Sequence, residues 1–154
     1  MPGQQIGVIP EEVLGIAHPA PVVAIVPPVA AGVDWSFIPS GATLAKVRAV
    51  VATLATSSVV AARYPVIELT NPDGDILAIA PGPATQAASL TGVDCWAIGQ
   101  DLVAVLVNFQ ATSLPDIWLP PGAKVKTSTV ALQVADQWSA MTVTYDLWPY
   151  VPRG

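Results

Sequence analysis

Between Val13 and Val33 the chain runs for 21 residues without a formally charged side chain, about the length of a membrane-spanning helix. Proline forbids that helix. Pro19, Pro21, Pro27 and Pro28 each lack a backbone donor and clash with the preceding turn, His18 lies among them, and no Lys or Arg flanks the stretch before Lys46. A secretory signal is not indicated either, since the N-terminal region carries no positive charge and its first charges are Glu11 and Glu12. The expectation is a protein made in the cytoplasm and left unprocessed. Its single cysteine, Cys95, builds no internal disulfide and fits that compartment.

The same prolines set the organisation. Residues 1–33, rich in Pro, Gly, Ala and Val and nearly free of alternation, read as an extended N-terminal arm. Pro10, Glu11 and Glu12 make a helix start, with proline at the first helical position and carboxylates near the positive end of the dipole, so a short helix is expected near 10–17. Pro21–Pro28 is expected to be extended, as one edge strand. Removing residues 1–32 is expected to leave the remainder folded while weakening assembly.

Residues 34–154 read as one β-sandwich domain, because short apolar runs alternate with turn residues at strand spacing. Asn71-Pro72-Asp73-Gly74 predicts a hairpin turn between strands at 64–70 and 75–80: proline presets φ and glycine tolerates a positive φ. Further strands are expected near 87–98, 101–110, 122–130 and 137–148. In the last of these Met141, Val143, Tyr145 and Leu147 share one face, and Met141, Val143 and Leu147 are placed in the core. Residues 42–62 fit either an amphipathic helix or a long strand; the density of Val and Thr favours the strand, with Lys46 and Arg48 opposite Ala45, Val47 and Ala49.

Chemistry is sparse. The chain has 6 Lys+Arg and 11 Asp+Glu, 11% charged residues against about 25% in ordinary domains. The six cations, at Lys46, Arg48, Arg63, Lys124, Lys126 and Arg153, are too scattered for a phosphate-binding face, so no nucleic-acid partner is expected. With one His and one Cys, neither a nucleophilic triad nor a protein-only zinc site is supported, and no catalytic residue, metal ligand or cofactor is assigned. Cys95 beside Trp96, with no neighbouring cation, reads as a small buried hydrophobe. Asp73 and Asp75 flank Gly74 as turn residues and lack the spaced ligands of a calcium loop. A glycosidase pair among Asp94, Asp101, Asp116 and Asp136 is neither favoured nor excluded by their spacing.

From Trp35 to Trp148 the sequence resembles small β-rich structural proteins of tailed-bacteriophage virions. The resemblance lies in the order of its parts: Pro39-Ser40-Gly41; Thr56-Ser57-Ser58; Arg63-Tyr64 leading to Ile67-Glu68-Leu69 and the Asn71–Gly74 turn; Leu114-Pro115; Leu119-Pro120-Pro121-Gly122; and Asp136-Gln137-Trp138-Ser139 before the final strand. It implies an all-β, antiparallel, jelly-roll-like β-sandwich without catalysis or cofactor. The arm before Asp34 lies outside the resemblance, and Asp94–Gly99 is less regular than that family's pattern.

Three readings follow. The first is a capsid decoration or cement protein on the virion surface, binding the major capsid protein and itself, as a homo-oligomer with a trimer favoured. The second is a head–tail connector, tail or fibre-base component. The third is a carbohydrate- or receptor-binding module using exposed tryptophans. The candidate interface residues are Ile9, Val13, Ile16, Val23 and Ile25 of the arm, with Trp35, Trp118, Trp138 and Trp148, since tryptophan is enriched at binding hot spots. By strand parity Trp138 and Trp148 fall opposite Met141 and Val143.

Overall fold

A computed structural model describes residues 19–106 and 108–148 of the chain, so the expected helix near 10–17 and the candidates Ile9, Val13 and Ile16 lie outside the described residues. Within those residues the protein is an all-β sandwich with no helix. Its larger sheet has the order β1 (Ala20–Val26), β11 (Met141–Trp148), β3 (Leu44–Ala55), β6 (Thr91–Ala97), β8 (Phe109–Ser113), β7 (Val103–Leu106), with β10 (Gln137–Trp138) also pairing β3. The smaller sheet runs β2 (Ser36–Phe37), β9 (Lys124–Thr127), β4 (Val66–Thr70), β5 (Ile76–Pro81). All pairings are antiparallel except β6 with β8, which are parallel because β7 runs outside β8 and the chain returns between β7 and β6.

Residues 42–62 resolve as strand. β3 spans 12 residues and pairs on both sides, which suits a run of β-branched side chains buried on one face and paired along both edges. Its alternation breaks once. Tyr145 pairs with Val47 and Thr144 with Ala49, leaving Arg48 as the extra residue of a β-bulge. Ala45 and Val47 therefore point inward before the bulge, and Val50, Ala52 and Leu54 after it. Ala49, expected beside Val47, is carried to the outer side with Val51. β11 keeps its alternation, with Met141, Val143 and Tyr145 buried and Leu147 partly buried against the core, while Asp146 between them is shielded where it pairs with Arg48.

The Asn71–Gly74 turn forms as its residues predict. Gly74 N donates to Asn71 O at 3.1 Å with Gly74 at φ +98°, and Asn71 Oδ1 accepts from Asp75 N at 2.8 Å. Pro120-Pro121-Gly122 closes a second turn, Ala123 N donating to Pro120 O at 3.1 Å with Gly122 at φ +80°. The segment expected as one strand near 101–110 is instead the β7–β8 hairpin, reversed beside Asn108 at φ +73°. The segment 137–148 is likewise two strands, β10 and β11.

The core lies between the sheets. Val50, Leu54, Trp96, Met141 and Val143 of the larger sheet meet Ile67, Leu69, Ala80 and Val125 of the smaller one. Trp35, Leu119 and Trp138 belong to the same buried cluster. Each fully buried Val, Leu, Ile or Met among them contributes about 1.5–3 kcal/mol through the water it sheds. Trp35 stacks on Phe37 with centroids 5.8 Å apart, and Phe37 meets Tyr145 edge-on at 5.7 Å. Part of the expected arm belongs to this body: β1 pairs along β11 from Ala20↔Leu147 to Val26↔Met141, while Val22, Ala24, Val26 and Val29 pack on the core. Cutting at residue 32 would thus remove an edge strand and uncover apolar surface beneath it.

Candidate interaction surface

The outer face of the larger sheet is built from the strand residues that alternate away from the core. Two rows cross it in register. One runs Ile25, Thr142, Val51, Cys95; the other runs Val23, Thr144, Ala49, Ala97. Neither contains a formal charge. Val23 is 64% and Ile25 75% exposed, on a strand whose far side pairs with no described strand. An open, apolar edge is a template for another chain and is normally blunted by charge, a bulge or proline. Here Pro21 alone interrupts the donor row of β1. The edge strand β5 of the smaller sheet repeats the pattern, with Ile76, Leu77 and Ile79 exposed.

Trp118 and Trp148, 37% and 36% exposed, meet edge-on with centroids 5.9 Å apart and form a shallow cleft with Leu44. The Lys46 ammonium sits 4.9 Å from the Trp118 ring centroid and is ion-paired with Asp116. The hydrogen bond from Lys46 holds the Asp116 carboxyl below its ordinary range. Trp35 and Trp138 do not join this surface. They are 0% and 1% exposed, so as interface residues they are corrected to core. The parity argument failed for Trp138 because Ser139 and Ala140 separate β10 from β11 and reset the alternation.

Two buried carboxylates differ sharply. Asp136 accepts from Arg63 Nε at 2.8 Å and Nη2 at 2.9 Å, from Ser57 N at 2.7 Å and Oγ at 2.9 Å, and from Gln133 N at 2.8 Å. Burial would raise its carboxyl, but Arg63, Ser57 and Gln133 outweigh that and hold it well below the usual range. Arg63 Nη1 also donates to the Val59 and Ala61 carbonyls, both at 2.7 Å, so the junction ties the 57–63 loop to the approach of β10. Asp94, on β6, accepts from Gln110 Nε2 alone; its Oδ2 has no partner. Burial pushes its carboxyl up to about 7, partly offset by the Gln110 hydrogen bond.

The remaining candidates are accounted for locally. Cys95, expected as a buried hydrophobe, is only partly buried on the outward row of β6, because its neighbours Asp94 and Trp96 take the inward positions; what burial it has pushes its thiol up, which disfavours the reactive thiolate. Asp75 is held by Asn71 within its turn, with Asn71 Nδ2 donating to Asp75 Oδ2 at 2.9 Å. No group of three His, Cys, Asp or Glu side chains suited to a metal occurs among the described residues. Asp94, Asp116 and Asp136 occupy separate environments, the cleft beside β6, the exposed Lys46 pair and the Arg63 junction.

No protein-family model and no curated protein matches the sequence. Among solved structures, the chain is similar to one described as the structure of infectious bursal disease virus Gx strain, at 15% identity over 87% of this chain and 30% of the other, with a TM-score of 0.28. It is also similar to the crystal structure of the infectious bursal disease virus VP2 subviral particle, at 14% identity over 84% of this chain and 33% of the other, with a TM-score of 0.31. The chain thus spans about a third of the length of these structures. The sandwich assignment rests on the two sheets themselves.

Proposed function

We propose that the protein is a non-enzymatic structural subunit of a virus particle: a capsid decoration or cement protein that binds the shell of major capsid protein and associates with itself, most simply as a trimer. The observation that carries this reading is the pair of charge-free rows that cross the outer face of the larger sheet to the open β1 edge, where Val23 and Ile25 stand exposed. Large contiguous apolar surface marks interaction sites on soluble proteins. An edge strand adds backbone hydrogen bonds to whatever chain lies along it.

Light scattering on the eluting protein tests self-association. The wild-type chain is expected to run as an oligomer, and a Val23→Lys, Ile25→Lys variant as a smaller species that still melts cooperatively, at a lower temperature that no longer depends on protein concentration. A monomeric wild type at high concentration would remove the self-association part of the proposal. Copy number in purified particles separates decoration from a connector or tail role: a number set by sixfold or twelvefold rings overturns the former.

A second reading, a glycan-binding module, draws on the half-exposed Trp118–Trp148 pair. Quenching of tryptophan fluorescence by soluble glycans, lost in Trp118→Ala, would favour it. The near-perpendicular rings, 77° between planes, offer a notch in place of the flat platform that a pyranose stacks on.

A further inference from the structure

A cleft of about 250 Å³ opens between the segment 84–92 and the start of β8, and Asp94 lines it. Its walls are mainly apolar, from Ala84, Leu90 and Phe109 among others. Gln86 closes one side: its Nε2 donates to Leu54 O at 2.7 Å and Leu90 O at 3.1 Å, and it lies so close over Gly92 that a Cβ there would stand 3.0 Å from Gln86 Oε1. On the other side Gln110 is fixed at both ends, donating to Asp94 Oδ1 and accepting from Ala84 N at 3.2 Å. Asp94 itself is 1% exposed.

The arrangement leaves one acceptor unfilled. Asp94 Oδ2 is buried without a hydrogen-bond partner, and none of the described cations pairs with it: Lys46, Arg48, Arg63 and Lys126 are engaged with Asp116, Asp146, Asp136 and Glu68, and Lys124, on β9 of the other sheet, makes no ion pair with Asp94. Buried charges in proteins are paired. The volume falls below the roughly 300–1,000 Å³ of drug-sized sites, which suits a single side chain better than a cofactor. A mainly apolar cleft lined by Asp94, whose buried Oδ2 has no partner, matches a group with an aliphatic stem and a cationic head.

We propose that this cleft is a socket for an alkyl cation, the ammonium or guanidinium of a basic side chain, whose charge completes the pair that Asp94 lacks. The socket does not depend on the virion reading, because it is assayed on the isolated chain. When the cation enters, Asp94 Oδ2 accepts its N–H and the stem covers Leu90 and Phe109; no covalent chemistry is involved.

The test titrates the full chain with n-butylammonium and n-butylguanidinium at pH 8, following backbone amide shifts of residues 84–94 and 108–110, with n-butanol as the neutral match. The cations are expected to shift these amides, and the alcohol to bind about tenfold or more weakly. Asp94→Asn, which keeps the Gln110 hydrogen bond and removes a buried charge, should fold and lose the same factor; Ala84→Leu, which narrows the cleft and leaves the charge, should weaken both cations. Tripeptides Ala-Lys-Ala and Ala-Arg-Ala, blocked at both ends, divide the sources: tighter binding than the free cations assigns the socket to a partner chain's side chain, and weaker binding assigns it to small free amines. Equal binding of n-butanol, or cation binding undiminished in Asp94→Asn, overturns the proposal.

Discussion

The Arg63–Asp136 junction and the Asp94 cleft hold the same kind of group at the same depth, since Asp136 and Asp94 are both 1% exposed. One carboxylate is satisfied by Arg63, Ser57 and Gln133, and the other keeps an oxygen with nothing to accept from. The first behaves as an internal clamp. It joins segments 73 residues apart, and both of its charged side chains are wholly shielded from water. The second is a cost carried by the folded chain, and natural proteins retain such costs chiefly at sites of function. Burial by itself therefore distinguishes nothing in this molecule; the state of the partner atoms does.

The comparison breaks most visibly at Arg63. Arg63→Met leaves Asp136 buried and unpaired, and chemical denaturation at pH 7 should show a loss of about 3–5 kcal/mol. Asp94 tests the other side. A carboxyl raised from 3.8 to about 7 on folding binds its proton more tightly in the native state, so its contribution to stability is full below about pH 4 and is lost as pH rises through about 7. That slope is worth about 4 kcal/mol across the interval, and Asp94→Asn should abolish it, making the variant the more stable protein at pH 8. Asp136 has the opposite sign: lowered on folding, it stabilises above the ordinary carboxylate range and withdraws that support as pH falls below it.

Smaller changes sharpen the contrast. Ser57→Ala removes two hydroxyl contacts of the junction, to Asp136 and from Arg63, but keeps the Ser57 amide on Asp136, and should cost about 1–2 kcal/mol by denaturant midpoint. Glu68→Gln, which breaks the half-exposed cross-strand pair with Lys126, should cost under about 1 kcal/mol and less still in high salt. A Glu68 effect as large as that of Arg63 would show that shielding from water is not what gives the junction its weight.

Much of the fold is legible in the residues, because strands declare themselves by period two and turns by their backbone requirements. The alternation of Met141 and Val143, and the Asn71–Gly74 turn, are local signals that no distant contact overrides. What the sequence hides is phase and partnership. Trp138 looks surface-bound only if 137–148 is one strand, and nothing in Ser139-Ala140 announces the reset. The motifs Thr56-Ser57-Ser58, Arg63-Tyr64 and Asp136-Gln137 are each readable as loop ends, yet the fold brings Ser57, Arg63 and Asp136 into one junction. Asp94 stands in the sequence as one aspartate among several; its isolation appears only when β6, β8 and the 84–92 segment surround it. The outer sheet face was partly visible, through Val23 and Ile25, but its continuation across Thr142, Val51 and Cys95 depends on a strand order that periodicity does not supply.

The bulge at Arg48 acts on the central strand as a dislocation acts in a crystal: the lattice is regular on either side and displaced by one step across the fault. Tolerance to replacement inherits that displacement. Polar substitutions should be rejected at odd positions before the fault, Ala45 and Val47, and at even positions after it, Val50, Ala52 and Leu54. Deleting Arg48 would heal the fault, since Val47, Ala49 and Val50 would then alternate with every inward side chain still inward, and what the strand would lose is the Arg48 pair with Asp146.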